Sequence, residues 1–351
     1  MVPYNTLVPV FVLTGFLGSG KTTLLNRLLH HPSLADAAVL INEFGEVGID
    51  HQLVETIDET TVLLDSGCLC CTIRGDLKAS MLELHGKRAR GLVPRYQRMI
   101  IETTGLADPS PILYTLLADQ TLRHHYRLGT LITTVDAVNG LGQLDRVEES
   151  VKQVAVADRI MLTKTDLVTE DAVEPLRERL AHLNPSARLT SAINGNIDAE
   201  SLLRADFYDP ATKGAEVLRW IEAEALGSDE TRHGHDTNRH GPDIHTFCII
   251  HEEPIDWTAF GIWLTMLLHS HGEDVLRVKG ILNVRGIETP VVINGVQHIV
   301  HPPMHLEAWP DGDRRSRIIF IVRGISRARI VESLAEFNRL GGVDPDRLKV
   351  A

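Results

Sequence analysis

The sequence predicts an α/β fold, a mainly parallel sheet flanked by helices, with a smaller α+β domain behind it. Three observations point there. Over the first ~210 residues, short apolar β-branched runs alternate with helix-length segments, the pattern of parallel strands joined by helical crossovers. A glycine-rich loop, Gly15 to Thr22, stands between the first such run and the first helical segment. Residues 228–243, SDETRHGHDTNRHGPD, hold no large apolar side chain and cannot bury a core. The expected organisation is a domain at 1–227, a polar His-containing linker at 228–243 and a C-terminal domain at 244–351. A chain of 351 residues is also longer than one hydrophobic core usually serves.

In chain order, the strands expected in the first domain are Val10 to Thr14, Ala38 to Asn42, Met99 to Glu102, Thr130 to Val135 and Arg159 to Thr163. Helical stretches lie between them, among them Gly20 to His31, Arg74 to His85 and Glu170 to His182. After the linker come an apolar strand at His245 to Ile250 and a helix around Trp257 to His269. Several closely spaced strands follow between Val275 and Val322, and a last helix starts at Ser326. That order suits an α+β unit.

Composition narrows the function classes. Hydrophobic residues make up 43% and charged residues 23%, a globular balance, and the formal charge is −12. Nucleic acid and an anionic membrane are disfavoured as partners, since either would need a local basic patch. The best candidate for one, Arg314-Arg315-Ser316-Arg317, is short, follows Asp311 and Asp313 and reads as a solvated turn. The first nine residues lack the pattern of a secretory signal, and no apolar run approaches ~18 residues. A cytoplasmic location is expected. Three of the four cysteines fall within four positions, which is no extracellular disulfide framework.

Gly15-Phe16-Leu17-Gly18-Ser19-Gly20-Lys21-Thr22 fits GxxxxGK[ST] in the strand-to-helix context its mechanism requires. Gly15, Gly18, Ser19 and Gly20 let backbone N–H groups wrap phosphates, Lys21 reaches the outer phosphates, Thr22 ligates Mg²⁺, and Thr23 completes the set at the helix start. Glu102, ending a strand in IIETTG, is placed to hold Mg²⁺ through water, and Gly105 to sense a γ-phosphate through its N–H. Thr163-Lys164-Thr165-Asp166 closes another strand and resembles NKxD with Thr in place of Asn. The Asp166 carboxylate can accept from the ring N–H and the exocyclic amine of guanine, a donor pair adenine lacks. GTP is therefore expected over ATP, and the fold class sharpens to a P-loop GTPase domain. The expected catalytic set is Lys21, Glu102 and Asp50, with Glu43 and Glu46 as alternatives to Asp50.

Cys68, Cys70 and Cys71, in GCLCC, form the second constellation. Three thiols this close in a Gly-containing loop before a helix are not demanded by packing. Such a density of thiolate suits Zn²⁺, Co²⁺ or Cu(I), with zinc first on softness and tetrahedral preference. The fourth ligand is left open among water, Glu43, Glu46 and a partner's side chain. His233, His235 and His240 in the linker suit weak metal capture and a solvated spacer equally. His269, His271, His298 and His301 read as structural.

The segments GFLGSGKTT, INEFGEVGID, GCLCC, ETTGLADP and TKTD, in this order and followed by RVKGILNV, resemble the CobW-type metal-handling GTPases over nearly the whole chain. The resemblance implies kinship with nickel-insertion GTPases, a switch segment at Asn42 to Asp50, and a C-terminal domain that helps dock clients. It also implies a cysteine site organised by GTP and Mg²⁺, from which hydrolysis releases metal to a client metalloprotein. Two departures stand out. Thr163 replaces Asn, and Phe16 and Leu17 occupy positions where some relatives carry a lysine acting across a dimer. A nucleotide- or metal-dependent homodimer would need other contacts. The rival readings are a redox-responsive regulatory GTPase with a disulfide switch, a metal buffer with a vestigial nucleotide site, and a small-molecule kinase.

Overall fold

The structure is a computed structural model and describes residues 6–29, 31, 34, 36–41, 53–58, 61–64, 69–72, 76–192, 199–204, 217, 244–340 and 348–350. For 53–58, 61–64, 69–72 and 348–350 the description is of the backbone. The chain forms two compact units. One comprises Met1–Arg177 with Arg188–Phe207, the other Glu178–Ala187 with Tyr208–Ala351. The expected linker at 228–243 lies outside the described residues.

The first unit is built on one sheet. Its strands are β1 (Val8–Gly15), β2 (Ala37–Ile41), β3 (Leu53–Asp58), β4 (Thr61–Leu64), β5 (Leu69–Thr72), β6 (Arg98–Glu102), β7 (Tyr126–Asp136), β8 (Arg159–Thr163) and β9 (Arg188–Ala192). They lie in the order β3-β4-β5-β2-β6-β1-β7-β8-β9. From β5 to β9 every neighbouring pair is parallel, and β3 and β4 add an antiparallel edge. The helices are α1 (Lys21–Leu29), α2 (Leu77–Ala89), α3 (Ser110–Ala118), α4 (Gly140–Arg146), α5 (Glu148–Val156), α6 (Glu170–Leu183), whose residues from Glu178 on belong to the other unit, and α7 (Ala199–Arg204). β1 is central and buried almost throughout, which explains its nearly unbroken apolar run Val8 to Leu13. One face of the sheet packs Phe11, Leu13, Val39 and Ile41 against Leu24 and Leu28 of α1.

Two expected elements need correction. The helix anticipated at Arg74 to His85 runs from Leu77 to Ala89, because the Asp76 side chain caps it by accepting from Lys78 N at 3.1 Å. The GCLCC segment is not wholly a loop. Leu69–Thr72 is a strand held between β2 and β4, with Cys70 level with Val39 and Cys71 with Leu40. Neighbouring strands supply the pairing that a local reading of the sequence cannot see.

α2 is fastened to the unit by polar and aromatic contacts. Lys78 pairs with Asp119 at 2.6 Å, His85 stacks on His125 with ring centroids 3.8 Å apart, and Tyr126 donates its hydroxyl to Met81 O at 3.1 Å.

The second unit is an antiparallel sheet: β10 (Ile244–His251), β11 (Val275–Leu282), β12 (Val291–Val296), β13 (Ile299–Val300), β14 (Met304–His305), β15 (Ser316–Arg323) and β16 (Leu348–Val350). Helices α8 (Trp257–His271) and α9 (Arg327–Leu340) supply Phe260, Trp263 and Leu334 to a core shared with Phe247 and Phe320. Asp256 caps α8 by accepting from Ala259 N at 2.9 Å. Trp263 donates its indole N–H to Ser333 at 2.9 Å, and His298 Nδ1 lies 2.9 Å from Leu268 O.

The basic run differs from the expected solvated turn. Arg314 and Arg315 are exposed, but Ser316 and Arg317 open β15, and Arg317 is nearly buried against Asp311 at 2.6 Å. That guanidinium, hydrogen-bonded to Asp311, holds the carboxyl below the usual carboxylate range.

Candidate nucleotide site

The phosphate loop leaves β1 at Gly15, whose φ is 142°, and Gly18 and Gly20 also lie at positive φ, 71° and 88°. Gly15 has a second constraint: a Cβ there would sit 2.3 Å from Thr134 Oγ1. Ser19 N closes the turn onto Phe16 O at 3.1 Å. Lys21, first residue of α1 and mostly buried, donates its ammonium to Gly15 O at 2.9 Å and Phe16 O at 3.1 Å. Thr22 and Thr23 are exposed on the first turn of α1.

Buried hydroxyls brace this loop from beneath. Ser19 and Thr134 share a hydrogen bond of 2.6 Å, and Thr103 donates to Thr14 at 2.8 Å. Thr163 donates to Ser19 O at 2.7 Å and lies 3.2 Å from Val135 O. The hydroxyl standing where NKxD has Asn thus faces the phosphate loop, tying the end of β8 to it.

At the end of β6, Glu102 is almost fully buried and accepts the Thr22 hydroxyl at 3.1 Å. A hydroxyl and a carboxylate converging beside a phosphate loop are hard oxygen donors, a set that fits Mg²⁺. Beyond Glu102 the chain passes directly against the phosphate loop. A Cβ on Gly105 would lie 2.7 Å from Leu17 N, so only glycine allows this approach.

At the other end of the site, Lys164 sits in the left-handed region with φ 58° and donates to Asp136 Oδ2 at 2.7 Å. Asp136 ends β7 and is almost wholly buried. It also accepts from Val138 N at 2.8 Å and from the Asn139 amide at 3.0 Å. Burial would raise this carboxyl, but the hydrogen bonds from Lys164, Asn139 and Val138 outweigh it and hold the pKa below its ordinary value. Asp166 lies in the short 3₁₀ turn Thr165–Leu167 and is exposed.

The structure therefore gathers Gly15, Gly18, Ser19, Gly20, Lys21, Thr22, Thr23, Glu102 and Gly105 around one loop, with Thr163 beneath it and Lys164 and Asp166 at the end of β8. Asp136 was not among the residues singled out in the sequence. An acid ending the strand beside the phosphate-loop strand is the signal that would have found it. Glu43, Glu46, Asp50, Cys68 and the linker histidines lie outside the described residues, and Cys70 and Cys71 are placed by their strand alone. Among the described residues there is no group of three or more His, Cys, Asp or Glu side chains suited to a metal ion, and no helix long and apolar enough to cross a membrane.

Comparison with known proteins matches residues 9–191 to the family described as CobW/HypB/UreG, nucleotide-binding domain, and residues 244–338 to the cobalamin synthesis protein cobW C-terminal domain. The zinc chaperone YjiA of Escherichia coli is 32% identical over 314 residues, covering 90% of this chain and 93% of that one. Zinc-regulated GTPase metalloprotein activator 1 of Schizosaccharomyces pombe is 30% identical over 79% of this chain and 72% of its own. The crystal structure of Zn(II)-bound YjiA GTPase superposes with a TM-score of 0.73 at 30% identity, covering 94% of this chain and 99% of that one. With a family match across more than half its length, and a second over the C-terminal unit, the chain belongs to the CobW/HypB/UreG family.

Proposed function

We propose that this chain is a GTP-dependent metallochaperone that binds a transition metal, zinc foremost and cobalt as the alternative, through Cys68, Cys70 and Cys71, and releases it to a client metalloprotein on GTP hydrolysis. The GTPase activity follows from family membership and from relatives named as GTPases. Relatives named zinc chaperones support metal as cargo.

The observation that carries the link between nucleotide and metal is the sheet register. Ile41 of β2 is level with Glu102 of β6 on one side and Thr72 of β5 on the other. Parallel strands stand ~4.8 Å apart, so the strand bearing Cys70 and Cys71 ends at the level of Glu102 and about 10 Å from it across the sheet. Through β2, Cys70 is level with Ile100 and Cys71 with Ile101, so the two cysteines stand one and two residues before the level of Glu102 in the same sheet, which supports a coupling between the two sites.

In this reading Lys21 neutralises the outer phosphates, α1 directs its N-terminus at them, and Gly105 offers its N–H to the γ-phosphate. Thr22 and Glu102 would hold Mg²⁺, which supplies positive charge against the β- and γ-phosphates when bound. Asp166, carried beyond Lys164, reads the guanine edge. The hydrolytic water is assigned to Asp50, with Glu43 and Glu46 as the alternatives. Intrinsic turnover is slow, and a client accelerates it.

The test is a zinc titration of the reduced protein in competition with a chelator, with Mg²⁺ and either a non-hydrolysable GTP analogue or GDP. Zinc affinity should be roughly 5- to 150-fold higher with the analogue, the usual span of linked sites. That difference should vanish when Cys68, Cys70 and Cys71 are replaced by Ser. Equal affinity in the two nucleotide states would overturn the switch. A disulfide forming under mild oxidation without bound metal would favour a redox regulator instead.

A further inference from the structure

Gln153 is fully buried in α5, among Val151, Val154, Ala155 and Val156, which are buried with it. Its amide Nε2 donates to Ala107 O at 2.9 Å and to Gly105 O at 3.3 Å, while its own main-chain carbonyl accepts the Thr133 hydroxyl of β7 at 2.8 Å. The opposite amide orientation would set Oε1 against two carbonyl oxygens, so the hydrogen-bond pattern fixes which way the group faces. The Oε1 that results is buried without a protein partner.

A leucine or methionine would fill this volume without a buried, unsatisfied oxygen, so packing does not explain a glutamine here. What the amide does achieve is control of two successive carbonyls in the loop joining β6 to α3. The same loop is pressed from its other side against the phosphate loop, where Gly105 meets the Leu17 backbone. Residues 105–107 are thus held between Leu17 in front and Gln153 behind.

We propose that Gln153 is a positioning residue for nucleotide-state recognition: by holding the Gly105 and Ala107 carbonyls it keeps the Gly105 N–H turned toward the γ-phosphate. The assignment rests on the reading of Gly105 as the γ-phosphate sensor. Its effect belongs to GTP alone, because GDP has no group at that position. Gln153 touches no nucleotide and acts through the loop.

The experiment uses the full chain with Gln153→Leu, which keeps the volume and removes both donors, and Gln153→Glu, which turns acceptors toward the two carbonyls. Affinities for a non-hydrolysable GTP analogue and for GDP, both with Mg²⁺, are measured beside the melting temperature and single-turnover hydrolysis. Analogue affinity should fall about tenfold and single-turnover hydrolysis with it, while GDP affinity stays within about twofold, the scale of losing one or two buried hydrogen bonds. A parallel loss for both nucleotides, or an unchanged ratio, overturns the proposal, the first by showing a merely structural role. Gln153→Met serves in the same assay should the leucine variant fold poorly. Gly105→Ala, whose methyl would meet the Leu17 backbone and displace the loop with Gln153 intact, separates the two readings through the ratio of analogue to GDP affinity. If it lowers analogue affinity selectively and the Gln153 variants do not, Gly105 stands and Gln153 falls; if neither changes the ratio, both fall.

Discussion

Asp136 and Thr163 show how single side chains tie the end of β8 to its neighbours. Asp136 uses its two oxygens to orient Lys164 and to satisfy Val138 and Asn139, all from a buried position. Replacing it with Ala should leave Lys164 unanchored and those donors unpaired. Guanine-nucleotide affinity should fall about tenfold, by the scale of a charge-assisted hydrogen bond, as read by titration with a fluorescent GDP. Its depressed pKa fixes the sign of the pH effect. Stability contributed by the carboxylate is full above the unfolded value of about 3.9 and is lost only as pH falls through the lower folded value, so neutral solution keeps all of it. Thr163→Val should remove the hydroxyl that binds the Ser19 carbonyl and cost about 1–3 kcal/mol of stability, a shift in thermal melting that bound GDP should partly restore. TKTD was legible as a motif, yet the target of the Thr163 hydroxyl was not, because Ser19 lies 144 positions away in sequence.

At the scale of elements, β10 carries a titrating group that the second unit keeps neutral. His251 is wholly buried, with Nδ1 2.8 Å from Glu253 O and Nε2 3.1 Å from the Asn338 amide of α9. Neutral imidazole meets both neighbours, its Nδ1–H donating to the carbonyl and its Nε2 accepting from the amide. Burial pushes its pKa below the ordinary value, against the raising influence of Glu253. The folded value lies under the unfolded one, so this contribution is full above about pH 6.5 and is lost as pH falls toward the folded pKa. Amide hydrogen exchange in β10 and β15 should accelerate between pH 7 and pH 5 once corrected for intrinsic rates, and His251→Gln should flatten that dependence. Element existence was largely legible here from alternation and helical periodicity. Boundaries followed from caps such as Asp76 and Asp256, and the strand character of Leu69–Thr72 came from its neighbours.

For the molecule as a whole, the proposed coupling is thermodynamic and therefore reciprocal. Zinc at saturation should tighten binding of the GTP analogue by the same factor by which the analogue tightens zinc, measured in the same buffer. Unequal factors would mean that one of the two titrations reports a different site. Lys21→Ala should abolish GTP hydrolysis, and with it the nucleotide dependence of zinc binding. Hydrolysis that survives would place the chemistry elsewhere.

By itself the sequence determined the fold class, the phosphate loop with Lys21 and Thr22, the acid at Glu102, the TKTD segment with Asp166 and the cysteine cluster. Each of these is a local pattern, in which glycine spacing, side-chain periodicity or donor type within a few residues carries the physical meaning. Tertiary structure alone decided what meets what. It put Asp136 under Lys164, the Thr163 hydroxyl on Ser19, Gln153 behind Gly105, and Cys70 and Cys71 level with Ile100 and Ile101, just short of Glu102. Those contacts arise from strand order and register, which parallel crossovers set between segments far apart in the chain, and no local pattern encodes them.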